Sequence, residues 1–507
     1  MSKQTPALPK TLGELKESKY QPVSVKEEVR NNLIKNLQTA TPSFKGIIGY
    51  EDTVIPDVER ALLSRHNILF LGLRGQAKTR MARQMTALLD EYIPIIEGSE
   101  INDDPFHPVS SFAKQLVAEK GDATPVSWLH RSERYGEKLA TPDVTVADLI
   151  GDIDPIKAAN MHLSFADEQV LHFGIIPRSN RGLFVINELP DLQARIQVAL
   201  FNILQEGDVQ IRGFKLRMPL DILFVFTANP EDYTNRGAIV TPLKDRIESQ
   251  IITHYPRNLE LAMSITEQEV QVDPSLITKI AMPDLMKRLI DQVAFEARES
   301  EFVDAKSGVS ARLSIAAYEN AISSAERRLI RNKEKQTQVW ISDLLAIIPA
   351  ITGKIELVYE GEQEGPEQVA LNLINKAIRR QFVQYFTDPE IFKKRKQSQQ
   401  YNPYSKIIQW FEKGNKLMLH RDMPDKQKSE VLARVTGLTA LVQKQFSDAP
   451  AAEQELMKEF LLHGLAAFSL LSKKVMEKET EFGDLLNTIM DLNLEDMDDG
   501  AEQEDDI

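Results

Sequence analysis

Apolar residues occur in short continuous runs in the first half of the chain and at helical spacing in the second half. The runs at residues 68–71, 182–188 and 221–227 are typical of strands buried on both faces of a parallel sheet. Between the last two runs, residues 192–206 have the spacing of an amphipathic helix. The pattern predicts an α/β core whose parallel sheet is flanked by helices. Four further segments predict helices, namely 25–37, 285–296, 310–331 and most of the chain from 350 to 490.

The first predicted strand leads directly into a glycine-containing loop, Gly72-Leu-Arg-Gly-Gln-Ala-Lys-Thr79. This loop is one letter away from the phosphate-binding pattern G-x-x-x-x-G-K-[ST], with Ala77 in place of the second glycine. In that pattern backbone N–H groups surround phosphate oxygens, the lysine reaches the outer phosphates, and the hydroxyl binds Mg²⁺. The expected nucleotide-binding residues are Gly72, Arg74, Gly75, Gln76, Ala77, Lys78, Thr79 and Arg80. The alternative is a strand–turn–helix in which Gly72 and Lys78 occur by coincidence.

The second predicted strand ends in Asn187-Glu188. Enzymes with a phosphate-binding loop of this kind carry an acidic element at the end of a second strand, where it orients Mg²⁺ and the attacking water. Glu188 is the expected general base. Asn187 replaces an aspartate; its amide can accept a hydrogen bond from a metal-bound water but brings no negative charge. The sequence therefore predicts weaker Mg²⁺ affinity or slower turnover than a standard site. The alternative is that Glu188 only caps the following helix.

Two more polar positions follow the third predicted strand and complete the candidate site. Asn229 comes directly after this strand and is expected to position water between Glu188 and the γ-phosphate. Alone, Asn229-Pro230 would be an ordinary turn signal. Arg246 is a candidate arginine finger that reaches a neighbouring subunit. The alternative for the Asp245–Arg246 pair is a surface ion pair of little energetic value.

Composition excludes several classes of function. The chain has 507 residues and no cysteine, so disulfides, thiolate catalysis and cysteine-based metal sites are excluded. Its eight histidines show no H-E-x-x-H spacing. The N-terminus lacks a signal-peptide core, and the apolar stretch at 460–471 is too short to span a bilayer. We therefore expect a cytoplasmic protein without a membrane partner.

Negative charge is concentrated at the C-terminus. Eight acidic residues and no basic residue lie between 494 and 507, and without them the net charge of −14 falls to −6. Such a segment is typical of a solvated tail, or of a docking segment for a basic surface of a partner. The mildly acidic remainder gives no support for a nucleic-acid partner.

Taken in order, these motifs resemble those of the AAA+ ATPases, and within them the MoxR and magnesium-chelatase I-subunit group. The resemblance rests on the loop 72–79 and on five further segments, and it covers about residues 40–350. These segments are Gly46-Ile-Ile-Gly-Tyr-Glu51, 142–155, Gly174-Ile-Ile-Pro177, Thr227-Ala-Asn-Pro230 and Asp245-Arg246.

The resemblance implies ATP and Mg²⁺ as cofactors and gives roles to further residues. Ile48 and Gly49 would lie near the adenine, Asn229 would be sensor 1, and Arg312 would be sensor 2. Residues 209–218 correspond to a β-hairpin insertion of the group and 156–176 to a second insertion. The alternative for both insertions is a simple extension of the sheet.

The resemblance also implies the domain organisation and the function. The expected segments are an N-terminal extension at 1–40, the nucleotide-binding core at 41–257, a small helical lid at 258–385, an additional helical region at 386–490 and the acidic tail at 491–507. The leading hypothesis is an ATP hydrolase that forms a homo-oligomeric ring, a hexamer, and remodels a client such as a von Willebrand factor A domain protein. Two alternatives remain open: a slow or inactive nucleotide-dependent scaffold, and the motor subunit of a metal-chelatase-like complex.

Overall fold

The computed structural model describes residues 8–161, 170–210, 217–230, 238–394, 402–476 and 478–485. The chain forms two compact units, residues 1–255 and 256–507. The tip of the predicted hairpin (211–216), part of the second predicted insertion (162–169) and the predicted acidic tail (491–507) lie outside the described residues.

The first unit contains eleven α-helices and eleven strands among its described residues. The helices are α1 (Leu12–Glu17), α2 (Val25–Gln38), α3 (Val54–Leu63), α4 (Lys78–Gln84), α5 (Ser111–Lys120), α6 (Val146–Leu149), α7 (Pro155–Met161), α8 (Ile175–Arg178), α9 (Ala194–Ala199), α10 (Phe201–Glu206) and α11 (Thr241–Asp245). The strands are β1 (Ile68–Leu71), β2 (Tyr92–Ile96), β3 (Val126–His130), β4 (Tyr135–Leu139), β5 (Gly151–Ile153), β6 (Leu171–Phe173), β7 (Gly182–Asn187), β8 (Asp208–Gln210), β9 (Arg217–Pro219), β10 (Ile222–Ala228) and β11 (Ser249–Ile252).

Five parallel strands form the central sheet of this unit, in the order β11–β1–β10–β7–β4. Strand β10 therefore lies between β1 and β7, although it follows both in the chain. Leu71 is paired with Ala228, and Leu139 with Asn187. The predicted parallel sheet flanked by helices is confirmed, and all three predicted strands belong to it.

Alternate residues of the central strands belong to two different hydrophobic cores, one on each face of the sheet. Leu69, Phe184 and Phe226 belong to the first core, whereas Phe70, Val185 and Val225 belong to the second. Because both faces are covered, these strands have continuous apolar sequences rather than alternating ones. This burial fixes the register of the strands and therefore the positions of the polar residues that follow them.

Helix α2 is built into the second of these cores. It begins at the N-cap Ser24, and its apolar residues Val25, Val29 and Leu33 are buried. Its Glu28 forms a bidentate ion pair with Arg134, at 2.7 and 2.6 Å, and both side chains are almost fully buried. Residues in the predicted N-terminal extension therefore pack as part of the first unit.

The predicted helix at 192–206 consists of two short helices, α9 and α10. They meet at Leu200, whose backbone stays in the right-handed helical region. The predicted hairpin is present as the antiparallel pair β8 and β9, as far as the described residues extend. The second predicted insertion contains α7 and strand β6, which pairs with β5.

The second unit is mostly helical. Its helices are α12 (Leu259–Glu269), α13 (Pro274–Ile277), α14 (Asp284–Arg298), α15 (Arg312–Asn332), α16 (Ile348–Thr352), α17 (Tyr359–Glu364), α18 (Pro366–Tyr385), α19 (Glu390–Lys394), α20 (Ser405–Glu412), α21 (Asp425–Ala433), α22 (Leu438–Gln445) and α23 (Ala451–Ala467). Its strands are β12 (Ile280–Ala281), β13 (Thr337–Gln338), β14 (Leu417–His420), β15 (Ser472–Val475) and β16 (Glu479–Gly483).

One hydrophobic core runs through the second unit, from Ile280 to Phe482. The ring of Phe382 in α18 lies 5.9 Å from that of Phe460 in α23 and 6.2 Å from that of Tyr404. The predicted lid and the predicted additional helical region therefore share a core. Within the described ranges, no helix is both long enough and apolar enough to cross a membrane.

Candidate functional site

The candidate site lies at the carboxyl ends of the parallel strands, where ligands bind in open α/β sheets. Gly72 follows β1 and Asn229 follows β10, which is the strand beside it. Asn187 ends β7 on the other side of β10, and Glu188 comes next. The order of the strands in the sheet thus brings three segments of the chain together. The first and the last of these segments are more than a hundred residues apart in the sequence.

The loop 72–79 requires unusual backbone geometry at three positions. A Cβ atom at Gly72 would collide with Thr253 Oγ1 and Gln76 Oε1, so this position accepts only glycine. Gly75 and Ala77 have positive φ angles of 74° and 56°. For an alanine this left-handed conformation costs about 1–2 kcal/mol. The structure therefore explains why the phosphate-binding pattern has glycine at the position of Ala77.

Lys78 begins helix α4 directly after the loop, and only 7% of its surface is exposed. Its ammonium group donates to the Gly72 carbonyl, to the Leu73 carbonyl at 2.9 Å and to Asn229 Oδ1 at 2.7 Å. The loop carbonyls and Asn229 thus hold a buried cation at the N-terminal end of a helix. This is the place where a bound phosphate would meet both the ammonium group and the backbone N–H groups.

Thr79 connects the loop to strand β7 through the side chain of Asn187. The Thr79 hydroxyl donates to Asn187 Oδ1 at 3.1 Å, and the Thr227 hydroxyl donates to the same oxygen at 3.1 Å. Asn187 is 7% exposed. Its amide oxygen is therefore directed toward the Thr79 hydroxyl, the group that would bind Mg²⁺ in the phosphate-binding pattern.

Glu188 and Asn229 are in direct contact. Asn229 Nδ2 donates to Glu188 Oε2 at 3.0 Å, while Asn229 Oδ1 accepts from Lys78. Glu188 is the N-cap residue of the short 3₁₀ helix Leu189–Asp191, but its side chain makes no capping hydrogen bond. Its backbone has φ 56° and ψ 49°, a left-handed conformation that is uncommon for non-glycine residues. The side chain is therefore directed to Asn229 rather than to the following helix.

Sequence reasoning missed Glu137, a carboxylate on the neighbouring strand β4. Asn187 Nδ2 donates to Glu137 Oε1 at 2.7 Å, and Arg83 and Tyr135 donate to Glu137 Oε2 at 2.9 and 2.8 Å. Burial opposes ionisation of Glu137, but the hydrogen bonds from Arg83 and Tyr135 outweigh it and lower the pKa. No motif marks Glu137, because its place beside Asn187 follows only from the pairing of β4 with β7.

Tyr50, the residue after the predicted adenine contacts Ile48 and Gly49, ties that segment to the loop. Its hydroxyl donates to the carbonyls of Gln76 and His254, at 3.1 and 2.8 Å. Burial raises the pKa of Tyr50 to about 12, so the phenol stays protonated as a donor. Ile48 and Gly49 are half-buried, and Gly49 has a φ of 84°.

Four further residues predicted for the site are all arginines. Arg246 contacts residues of its own unit: it donates to Gln205 Oε1 at 2.9 Å and to the Pro242 carbonyl at 2.8 Å, and it lies over the ring of Phe201. Arg312 is the exposed first residue of α15, in the second unit. Arg74 and Arg80 are exposed on the loop and at the start of α4. The first unit therefore brings together Lys78, Thr79, Asn187, Glu188 and Asn229.

The residues present fit a nucleotide with its magnesium ion. The loop backbone has positive φ angles at Gly75 and Ala77, and Lys78 beside it provides a buried positive charge. Among the described residues, no three His, Cys, Asp or Glu side chains cluster as a metal site of their own. Thr79 provides one hydroxyl beside Lys78, and Mg²⁺ is usually held by one or two protein groups together with substrate phosphates.

The chain is similar in sequence to subunits of magnesium chelatase. The chain is similar to the magnesium-chelatase 38 kDa subunit of Cereibacter sphaeroides, with 26% identity over 206 residues, which are 39% of this chain and 54% of that protein. The subunit of the same name from Rhodobacter capsulatus is 25% identical over 262 residues, which are 50% of this chain and 68% of that protein. The chain thus spans about half the length of the first relative.

The crystal structure of a putative ATPase from Cytophaga hutchinsonii is 18% identical and has a TM-score of 0.29, covering 72% of this chain and 98% of that one. No protein-family model matches the chain.

Proposed function

We propose that this chain, a homologue of the magnesium-chelatase subunits in the AAA+ ATPase family, binds and hydrolyses MgATP to drive the remodelling of a partner protein. The observation that carries the proposal is the contact chain at the carboxyl edge of the sheet. Lys78, Asn229 and Glu188 are linked by hydrogen bonds of 2.7 and 3.0 Å. These contacts join the phosphate-binding lysine to the candidate base through one amide side chain.

Each residue has a defined task in this proposal. The loop N–H groups and Lys78 would bind the β- and γ-phosphates. Thr79 would hold the magnesium ion, Asn187 would act on it through a metal-bound water, and the ion would neutralise charge on the transferring phosphoryl group. Glu188 accepts a proton from the attacking water. Asn229 orients Glu188 through the hydrogen bond from its Nδ2 atom. When phosphate arrives, Lys78 exchanges loop carbonyls for phosphate oxygens, so its buried charge remains paired.

Three further assignments belong to the same proposal. Arg246 acts on the nucleotide of a neighbouring subunit in a homo-oligomeric ring, after leaving Gln205 and Phe201. Arg312 acts as sensor 2, and Ile48 and Gly49 lie beside the adenine. A von Willebrand factor A domain protein is the proposed class of client, and the cytoplasm is the proposed location.

The proposal is tested by phosphate release with MgATP. We expect Lys78→Ala to abolish nucleotide binding, because it removes the cation from the phosphate site. We expect Glu188→Gln to retain binding and to lower phosphate release by about 10²–10⁴-fold, the usual contribution of a general base. The exposed residues Lys35 and Glu133 supply matched controls, Lys35→Ala and Glu133→Gln, which should behave as the parent.

Two results would overturn the assignment. If both site variants release phosphate as fast as the parent, Lys78 and Glu188 are not the catalytic pair. If the parent binds no nucleotide, the loop 72–79 is a structural turn.

A second candidate function is a nucleotide-dependent scaffold with negligible hydrolysis. It is favoured by one observation, namely that Asn187 provides an uncharged amide at the position next to Thr79. It predicts oligomer assembly on ATP addition without phosphate release. Mass photometry with ATP, compared with phosphate release on the same sample, separates the scaffold from the hydrolase.

A further inference from the structure

The candidate magnesium position contains an amide where a carboxylate is expected, and a carboxylate lies directly behind that amide. Asn187 Oδ1 accepts from Thr79 and Thr227, while Asn187 Nδ2 donates to Glu137 Oε1 at 2.7 Å. All three contacts agree with one orientation of the amide, because hydroxyl groups donate to its oxygen and a carboxylate accepts from its nitrogen. A reversed amide would bring its oxygen against the Glu137 carboxylate.

Glu137 reaches this position because of strand pairing. Strands β4 and β7 are parallel, and Leu139 is the partner of Asn187. Glu137 and Leu139 are two residues apart and therefore lie on the same face of the sheet. The Glu137 side chain is 22% exposed and is held by Arg83, a residue of the helix that begins at the phosphate-binding loop. A single carboxylate is thus connected both to the metal-side amide and to helix α4.

We propose that Glu137 supplies the negative charge that the Asn187 position lacks, and acts as a positioning residue for the magnesium ion of the bound nucleotide. The carboxylate holds the amide with its oxygen directed at Thr79 and lowers the electrostatic cost of a divalent cation nearby. The Asn187 side chain lies between this carboxylate and the position of the metal. The inference rests on the proposed function, since it requires a nucleotide site at Lys78 and Thr79.

Arg83 offsets only part of the Glu137 charge. The Arg83 guanidinium donates to both oxygens of Glu137, at 2.9 and 3.0 Å, but its side chain is 63% exposed. Water therefore screens its positive charge more than it screens the carboxylate. A substitution that removes the positive charge of Arg83 should therefore strengthen the negative field of Glu137 at the metal position. A purely structural role for Glu137 predicts no such effect.

The arrangement also changes the expected effect of restoring an aspartate at position 187. Asn187→Asp would place a second carboxylate within hydrogen-bonding distance of Glu137, and two carboxylates sharing a site repel each other. The exchange Glu137→Gln together with Asn187→Asp moves the single charge from one strand to the other. The glutamine retains an oxygen and gains an N–H donor toward the new aspartate.

The experiment measures the binding of the non-hydrolysable analogue AMP-PNP by calorimetry, with Mg²⁺ and with EDTA. The ratio of the two dissociation constants is the magnesium enhancement. We expect Glu137→Gln to lower this enhancement about tenfold, because it removes a charge near a divalent cation in a partly buried site. We expect Arg83→Gln to raise it severalfold. The double variant E137Q/N187D should recover most of the parent value, and Glu133→Gln should match the parent.

The thermal midpoint of the nucleotide-free protein is the second readout. We expect Asn187→Asp alone to lower it, and E137Q/N187D to restore it, because only the single variant holds two adjacent carboxylates. Arg83 is exposed, so Arg83→Gln tests the proposal even if Glu137→Gln does not fold.

Separate results overturn separate claims. If the parent binds AMP-PNP and Lys78→Ala does not, the proposed function survives. The role of Glu137 then fails if Glu137→Gln keeps the parent magnesium enhancement, or if Arg83→Gln lowers it. If the parent binds no AMP-PNP, or if Lys78→Ala binds as well as the parent, the nucleotide site and the role of Glu137 fail together.

Discussion

At the scale of single residues, the buried carboxyl group of Asp291 shows how the environment changes chemistry. Asp291 lies in α14 and is 2% exposed. It accepts a hydrogen bond from the Thr266 hydroxyl at 2.9 Å. Burial raises its pKa from 3.8 to about 6, against the opposing hydrogen bonds from Ser314 and Thr266. The folded state therefore binds a proton at Asp291 more tightly than the unfolded chain does.

This shift predicts the sign of a pH dependence. Between about pH 4 and pH 6 the folded state holds more protons at Asp291, so this residue makes the protein less stable as the pH rises through that range. Asp291→Asn removes the titration, and we expect it to raise the free energy of unfolding relative to the parent by up to about 3 kcal/mol at pH 7. The difference should vanish near pH 4.

Urea unfolding of both proteins between pH 4 and pH 7 measures this effect. Taking the difference between parent and variant removes the contributions of the other carboxylates. A difference that does not change with pH would show that Asp291 titrates near its ordinary pKa.

Single residues differ in how far the sequence predicts them. Lys78, Thr79, Asn187, Glu188 and Asn229 could be chosen because each stands at a fixed distance from a strand end. Their mutual contacts could not, since these depend on the sheet order. The left-handed conformation of Ala77 was not predicted, but it accounts for the glycine of the pattern. No sequence feature identified Glu137 as a site residue, because only the pairing of β4 with β7 brings it to Asn187.

At the scale of elements, a buried ion pair joins helix α2 to Arg134, the residue that precedes strand β4. The Arg134 side chain is 1% exposed and that of Glu28 is 4% exposed. Both ends of the pair have further partners: Arg134 Nε donates to the Arg181 carbonyl at 2.8 Å, and Glu28 accepts from the Asp90 N–H at 2.6 Å. Buried charges that are paired in this way are costly to separate.

We expect Glu28→Ala to lower the free energy of unfolding by about 3–5 kcal/mol, because it leaves the buried Arg134 guanidinium without a counter-charge. The neighbouring residue Glu27 provides the control. It belongs to the same helix and pairs with Arg65, whose side chain is 48% exposed, so Glu27→Ala should have a much smaller effect. Chemical unfolding measures both variants. Equal losses would mean that the buried pair contributes no more than a surface pair.

Elements were more predictable than their connections. The apolar runs gave β1, β7 and β10 because strands that are buried on both faces cannot be polar. Helix α2 followed from its spacing, and its cap residue Ser24 fits that start. The break at Leu200 left no sequence signal, since neither glycine nor proline marks it. Strand β4 was not predicted either, because its sequence Tyr-Gly-Glu-Lys-Leu lacks an apolar run.

At the scale of the whole molecule, the second unit is held together by contacts that cross the predicted boundary at residue 385. Gln338 Nε2 donates to the Ala452 carbonyl at 2.8 Å, and Glu459 accepts from the N–H groups of Ile341 and Ser342. Glu459 is fully buried and lies near the equally buried Lys428. The segments on the two sides of residue 385 thus bury each other's apolar and charged groups.

We therefore expect a fragment of residues 256–507 to unfold in one cooperative transition, whereas a fragment of residues 256–385 should not. The shorter fragment would expose the α18 face that packs against α23, including Phe382. Circular dichroism in the near ultraviolet, followed during thermal unfolding, distinguishes the two. A cooperative transition in the shorter fragment would show that the lid folds without the helices after it.

Domain-scale organisation was the least accessible from sequence. The change from α/β to helical patterning near residue 258 was visible in the spacing of apolar residues, and the structure divides after residue 255. Nothing in the pattern indicated that the helices on either side of residue 385 share a core. Hydrophobic periodicity shows which face of a helix is buried, but it does not identify the helix that covers it.

The exchange of a carboxylate for an amide at position 187 also gives the site a spectroscopic label. An aspartate would carry no nitrogen, whereas the Asn187 side chain has two N–H protons, and one of its contacts is to Glu137. Its ¹⁵N and ¹H shifts depend on the strength of that hydrogen bond. Selective asparagine labelling would therefore allow cation arrival to be followed by magnetic resonance, without a mutation, at the atom next to the charge.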